Sequence, residues 1–229
     1  MSAAPKVLLF DIDGTLLHSG GAGKRAFVLT LREAFEIDDP LEDIPFSGKT
    51  DPLIIREIFA KHGIEPSAGH FDLFLGRYVD VLQRIVADPR GRVMPGVQEV
   101  LDSCFEDTRF LLGLLTGNIQ RGAQIKLGHY RLNHYFAFGA FGDDHEDRNE
   151  IARIAHERSR RQSGRDVTAD SIFVIGDTPR DIECGKTIGA RTVAVATGKY
   201  SLDELRVHRP DVLLESLGDT AEFLRHVLA

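Results

Sequence analysis

The 229-residue sequence predicts an α/β protein, a doubly wound parallel sheet interrupted once by a helical insertion. Three observations point there. Short apolar runs rich in Val, Ile, Leu and Phe alternate with longer stretches of helical period. Several of those runs are almost continuously apolar, as strands buried on both faces of a parallel sheet are. Between about residues 20 and 88 the alternation stops, and only helical patterns remain.

Taken in order, the first strand is 6–10, "KVLLF". The helical stretch follows at 21–36, 51–62 and 69–87, punctuated by "DDPLEDIPFSGKTDP" and "HGIEPSAG". Pro89, Gly91 and Pro95 mark the return to the sheet. From there strands at 109–115, 136–141, 171–175, 191–196 and 211–214 alternate with helices at 96–105, 119–128, 147–161, 180–188 and 219–228. Residues 1–18 and 92–229 are therefore expected to form the sheet domain and residues 19–91 a helical cap. An insertion directly after the first strand stands over the carboxyl ends of the strands, where ligands of open α/β sheets bind. The glycines of "GGAGK" (20–24) read as a hinge into it.

Composition excludes several classes. The net charge of −7 argues against a general nucleic-acid binder, which carries a basic footprint. The basic segment "RIAHERSRRQSGR" (153–165) reads as a solvated helix face. No apolar run approaches the roughly 20 residues that span a bilayer, and "MSAAPK" lacks the pattern of a secretory leader. Cys104 and Cys184 read as small buried hydrophobes in a reducing, cytoplasmic compartment. The scattered histidines lack the spacing of a zinc site. "SGKT" (47–50) and "GGAGK" fail as P-loops, because the required first glycine falls at Asp43 and at His18.

Three strands end in chemistry. The first runs into Asp11-Ile12-Asp13-Gly14-Thr15, the second into Thr116-Gly117-Asn118, and the fourth into Gly176-Asp177-Thr178-Pro179-Arg180-Asp181. All three clusters thus fall on one rim of the sheet. Asp11 and Asp13, two apart on extended backbone, point the same way while Ile12 points into the core. Four carboxylates on one rim repel unless a cation sits among them. Hard oxygen donors favour Mg²⁺, which keeps several waters and shares a substrate's phosphate. Thr116 has a second reading as the N-cap of the helix that follows.

"DIDGTL", "LLTGN" and "GDTPRDI" resemble the first, second and fourth motifs of the haloacid dehalogenase-like superfamily. They stand in the family's order, over essentially the whole chain, with the helical insertion where that family carries a cap. The resemblance implies a Rossmann-like core, with Asp11 as nucleophile and Asp13 as general acid and base. Asp13 would also lend its backbone carbonyl to Mg²⁺. Thr116 would hydrogen-bond the transferring phosphoryl group, helped by the amides of Gly117 and Asn118. Asp177 would ligate Mg²⁺, and Asp181 would be a ligand or its partner. The third motif requires a cation, and its lysine-proline form is absent. Arg148, at the start of a helical pattern, is the expected residue. Lys126 is the alternative, although its place late in an earlier helix suits the surface better. The competing reading of Arg148 is an exposed ion pair with Asp144 or Asp147. The loop at 46–51 resembles the family's cap loop, which makes Lys49 a candidate substrate contact.

Asp13 also separates the reactions of that superfamily. Its dehalogenases and phosphonatases lack an aspartate there, and its sugar-phosphate mutases carry a cap histidine where this chain reads Ala22-Gly23-Lys24. The resemblance therefore implies a Mg²⁺-dependent phosphatase of a small phosphorylated metabolite, similar to phosphoglycolate phosphatases. The alternatives are a sugar-phosphate mutase or phosphotransferase of the same superfamily and a non-enzymatic phosphate-binding member. The oligomeric state is not legible in the sequence.

Overall fold

Six parallel strands form a single sheet in the computed structural model, which describes residues 4–228. The strands are β1 (Lys6–Phe10), β4 (Phe110–Leu115), β5 (Phe138–Ala140), β6 (Ile172–Gly176), β7 (Arg191–Val195) and β8 (Val212–Leu214), in the spatial order β5-β4-β1-β6-β7-β8. Residues 1–3, part of the stretch read as lacking a leader, and Ala229 lie outside the described residues.

The two-residue period of β1 divides its side chains between two cores. Leu8 and Phe10 join one hydrophobic cluster, and Val7 and Leu9 join another on the opposite face. All four are fully buried, so β1 is the centre of the sheet and reads as a continuous apolar run. Gly113 in β4 makes room for its neighbour, since a Cβ there would lie 2.5 Å from the Phe138 ring. The helices that cover the two faces are α4 (Val97–Phe105), α5 (Gln120–His129), α6 (Arg148–Ser163), α7 (Pro179–Thr187), α8 (Leu202–Val207) and α9 (Thr220–Leu228).

Strand order is what assembles the site. Strands β4 and β6 flank β1, with Phe10 opposite Leu114 on one side and Ile175 on the other. The three polar clusters that end these strands therefore emerge side by side, at the point where the winding of the sheet reverses.

The chain leaves the sheet through β2 (Leu17–His18) and returns through β3 (Arg92–Val93), which pair antiparallel with each other. Between them lie α1 (Ala22–Phe35), α2 (Asp51–His62) and α3 (Ala68–Ile85). These helices share their own hydrophobic cluster, built on Phe27, Phe59, Phe74 and Tyr78. Ile119, just before α5, belongs to the same cluster, so the helical unit is packed onto the sheet domain. Thr50 caps α2, Ser67 caps α3, and Gly63 ends α2 at φ 65°.

Most helices begin and end within two residues of the sequence-based bounds. The short strands β2 and β3 and the helix α8 carry no sequence signal; the six residues of α8 are too few for a period, and Ser201 and Glu204 define it by a capping box. Strand β5 is shorter than expected because only Phe138, Gly139 and Ala140 reach the register of β4. Both cysteines are buried, and burial pushes each thiol up to about 12. On α6, Arg153, Arg158 and Arg161 each hold an acidic partner, as does Arg160 at 2.6 Å from Asp166. No described helix is long and apolar enough to cross a membrane.

Candidate active site

After β1 the backbone turns sharply. Gly14 takes φ 89°, and the amides of Leu16 and Leu17 fold back onto the Ile12 carbonyl. Only glycine fits there, because a Cβ would lie 2.5 Å from Asp177 Oδ2. Thr15 Oγ1 donates to Asp177 Oδ1 at 3.0 Å, and Thr197 Oγ1 donates to the Gly14 carbonyl at 2.6 Å. The first and fourth clusters are thus locked to each other. Ile12 is fully buried, as alternation requires.

Asp11, Asp177 and Asp181 converge, each offering a carboxylate oxygen within 4.8 Å of the others. All three are buried. Burial, with repulsion from Asp181 and Asp11, holds the Asp177 carboxyl well above the usual range. Burial likewise raises Asp11, against the opposing pull of Arg148, to about 6. Three hard oxygen donors held this close suit a small divalent cation. Asp181 differs from the other two, since both of its oxygens are engaged: Oδ1 with Arg148 at 2.6 Å and Oδ2 with the Thr178 hydroxyl at 2.7 Å.

Arg148 opens α6, with Asp147 as its N-cap. Its side chain is 5% exposed and bridges Asp181 at 2.6 Å and Asp11 at 3.0 Å. The exposed pair weighed from sequence does not form: Asp144 is held by Arg158, and Asp147 accepts from the Asn149 amide. Arg148 lines the cavity, and its Nε is buried without a hydrogen-bond partner among the described residues.

Lys126 departs from the sequence reading. It is not a surface lysine. It is 3% exposed, and its Nζ reaches Asp13 Oδ2 at 2.5 Å and Asn118 Oδ1 at 2.6 Å. The cause is helix phase: this face of α5 turns towards the inserted helices rather than to solvent. Arg148 therefore accompanies Asp11, and Lys126 accompanies Asp13.

Thr116 is fully buried, and its Oγ1 accepts from the Asn118 side chain at 2.9 Å. The N-cap of α5 is Ile119, not Thr116. The free amides of that helix start are met by two carboxylates: Asp51 for Ile119 at 2.9 Å and Asp143 for Gln120 at 3.0 Å. Asp51 opens α2, so the inserted unit itself satisfies the second cluster. The Asp51 amide also donates to the Gly117 carbonyl at 2.8 Å. Gly117 has a steric reason to be glycine, since a Cβ would lie 2.2 Å from the Lys49 carbonyl.

These groups surround a cavity of about 510 Å³ between the sheet rim and the inserted helices. Of the site residues read from sequence, only Asp181 stays off its wall, behind Arg148. Lys49 lines the cavity but is held by Glu57 at 2.6 Å. Asp51 and Tyr78 are wall residues that no motif marked. Asp51 was reached only as the last residue of the loop at 46–51 and as a helix start, and Tyr78 only as part of the helical pattern 69–87.

The profile of the haloacid dehalogenase-like hydrolase family matches residues 8–195. The pyrophosphatase PpaX of Listeria monocytogenes serotype 4a is 26% identical over 234 residues, covering 98% of this chain and 99% of that relative. Among solved structures, a predicted phosphatase from Clostridium acetobutylicum has a TM-score of 0.74 at 20% identity, covering 98% of this chain and 100% of that one. A predicted phosphoglycolate phosphatase from Haemophilus somnus 129pt has a TM-score of 0.74 at 16% identity, covering 98% and 100%. Both structures share this fold.

Proposed function

Because the chain belongs to the haloacid dehalogenase-like hydrolase family, we propose that it is a Mg²⁺-dependent phosphatase hydrolysing a small phosphate monoester through an aspartyl-phosphate. One observation carries the reading. The two aspartates of the first cluster have opposite surroundings, Asp11 buried beside Arg148 and Asp13 partly exposed beside Lys126. A nucleophile needs the first setting, and a group that exchanges protons with a leaving oxygen and with water needs the second.

In this reading an Asp11 oxygen attacks phosphorus, and the bond to the leaving oxygen breaks as Asp13 gives that oxygen its proton. Asp13 then takes a proton from the water that hydrolyses the aspartyl-phosphate, which restores Asp11. Arg148 and Thr116, with the amides of Gly117 and Asn118, hold the charge that develops on the phosphoryl oxygens. Asp11, Asp177 and the Asp13 carbonyl would hold Mg²⁺, with Asp181 fixing Arg148 or ligating directly. Bound there, the ion would neutralise phosphate charge and draw Asp11 towards ionisation.

Residues 19–91 would serve as a cap whose loop at 46–51 closes on the second cluster. A helical unit packed over a cavity of about 510 Å³ suits small metabolites and argues against phosphoproteins. The names of the relatives, a pyrophosphatase and a phosphoglycolate phosphatase, agree with this substrate size.

The test is phosphate release from a panel of small monoesters, with Mg²⁺ and with a chelator. Release that the chelator stops, and that Asp11→Asn abolishes, is expected. Full activity of Asp11→Asn would refute the nucleophile assignment.

A further inference from the structure

Tyr78 carries a feature that the proposed chemistry leaves unused. It stands on α3, is fully buried, and its hydroxyl has no hydrogen-bond partner. It also lines the cavity. Phe27 packs against its ring with centroids 4.6 Å apart, and Gly122 of α5 lies beside the hydroxyl, where a Cβ would come within 3.5 Å of Oη. A buried donor left unpaired is costly, and native structures hold few of them without a purpose.

The first turn of α1 enters the same cavity through Gly21, Gly23 and Lys24. No side chain caps this helix, and its first turn holds no acidic residue. The amides of Gly23 and Lys24 meet no acceptor among the described residues. Lys24 is a cation at the end of the helix whose dipole disfavours one, and its Nζ stands over the Phe46 ring with no carboxylate partner among the described residues. Free amides, the helix dipole and an ammonium without a carboxylate partner all favour an anion along this wall of the cavity. That wall adjoins the reaction centre, because a Cβ on Gly23 would lie 3.2 Å from Lys126 Nζ, which itself touches Asp13.

We propose that Tyr78 Oη, Lys24 and the first turn of α1 form a second anion subsite, which holds a carboxylate or phosphate carried by the leaving group. The inference rests on the phosphatase reading and narrows it. The preferred substrate is a phosphorylated hydroxy acid or a diphosphate, not the monoester of a neutral alcohol. Asp13 would protonate the leaving oxygen while the subsite holds the far end of the same fragment. Tyr78 is then a specificity residue contributed by the inserted helices.

The test compares kcat/KM for 2-phosphoglycolate, inorganic pyrophosphate and the neutral analogue 2-hydroxyethyl phosphate. Wild type should favour one of the anionic pair over the neutral ester by about tenfold or more, as a charge-assisted hydrogen bond implies, and the winner distinguishes carboxylate from phosphate. Tyr78→Phe and Lys24→Gln should each collapse that preference, chiefly by raising KM for the anionic substrate. Tyr78→Phe should also leave the ligand-free Tm unchanged or raised, because it removes an unsatisfied buried hydroxyl. A lowered Tm with the preference intact would mean a structural hydroxyl and overturn the proposal. Equal kcat/KM for all three compounds would overturn the subsite but leave the phosphatase. Absence of turnover with every compound would sink the phosphatase reading. Calorimetric binding of 2-phosphoglycolate to wild type and to Tyr78→Phe would then decide the subsite, about tenfold weaker binding supporting it and equal affinity refuting it.

Discussion

Replacing Asp51 by asparagine tests whether the contact between α2 and the second cluster is held by a charge that the fold resists. Asp51 is 7% exposed, and burial raises its pKa from 3.8 to about 7, against the opposing pull of Lys126 and the Ile119 amide. The unfolded chain releases this proton near pH 4, whereas the folded chain keeps it to about pH 7. Between those values the native state binds more protons than the unfolded state, so stability falls as pH rises through the window. Each tenfold change in proton affinity is worth about 1.36 kcal/mol, which sets a ceiling of about 4 kcal/mol above pH 7. Asparagine keeps the shape and the oxygen that accepts from Ile119, but cannot ionise. The stability advantage of Asp51→Asn over wild type should therefore widen by about 2–3 kcal/mol between pH 5 and pH 8. At this chain length that is about 5–10 °C in Tm. Thermal unfolding of both proteins in Mg²⁺ across that range is the assay, since other titrating groups are common to the pair. Parallel Tm profiles would refute the reasoning.

Two further outcomes follow from the site. Arg148→Ala leaves two buried carboxylates unpaired, so it should cost about 3–5 kcal/mol in denaturant unfolding. It should also lower kcat/KM by about 10²–10³, and near-normal kinetics would remove Arg148 from the third-motif role. Gly117→Ala places a methyl against the Lys49 carbonyl and should displace the loop at 46–51, costing about 1–3 kcal/mol. An unchanged KM in that variant would show that the loop does not close on substrate.

What could be read in advance follows the range of the interactions. Asp11, Thr116 and Asp177 were legible because each ends a continuously apolar strand, and parallel strands put their ends on one rim. The side-by-side order of β4, β1 and β6 was not legible, because parallel pairing joins segments far apart in sequence. Lys126 was misplaced because position along a helix does not say which face is covered, and here the cover comes from the inserted unit, where a Cβ on Gly23 of α1 would lie 3.2 Å from its Nζ. Asp51 was hidden for a related reason. Its partner is a backbone amide of another helix, and such pairs leave no local pattern. Tyr78 was one residue of the helical pattern 69–87, and only the tertiary packing shows that its hydroxyl is stranded.

The two buried cations divide the labour of the opening Asp-x-Asp, and that division is itself testable. Arg148 touches Asp11 and Asp181 but not Asp13, whereas Lys126 touches Asp13 and Asn118 but not Asp11. Paired groups in different surroundings are how one fold runs nucleophilic and acid chemistry side by side. Lys126→Met keeps the length and buried stem of the lysine but removes the ammonium that orients Asp13. If Lys126 acts through Asp13, the loss must grow as the leaving oxygen becomes more basic, because only poor leaving groups need a proton in the transition state. General acid catalysis is worth about 10²–10⁴, so the variant should lose about tenfold or more on alkyl phosphates and little on nitrophenyl phosphate. In Asp13→Asn the same lysine change should add almost nothing, since the group it serves is gone. A uniform loss across leaving groups, or full additivity with Asp13→Asn, would instead make Lys126 a direct phosphate contact.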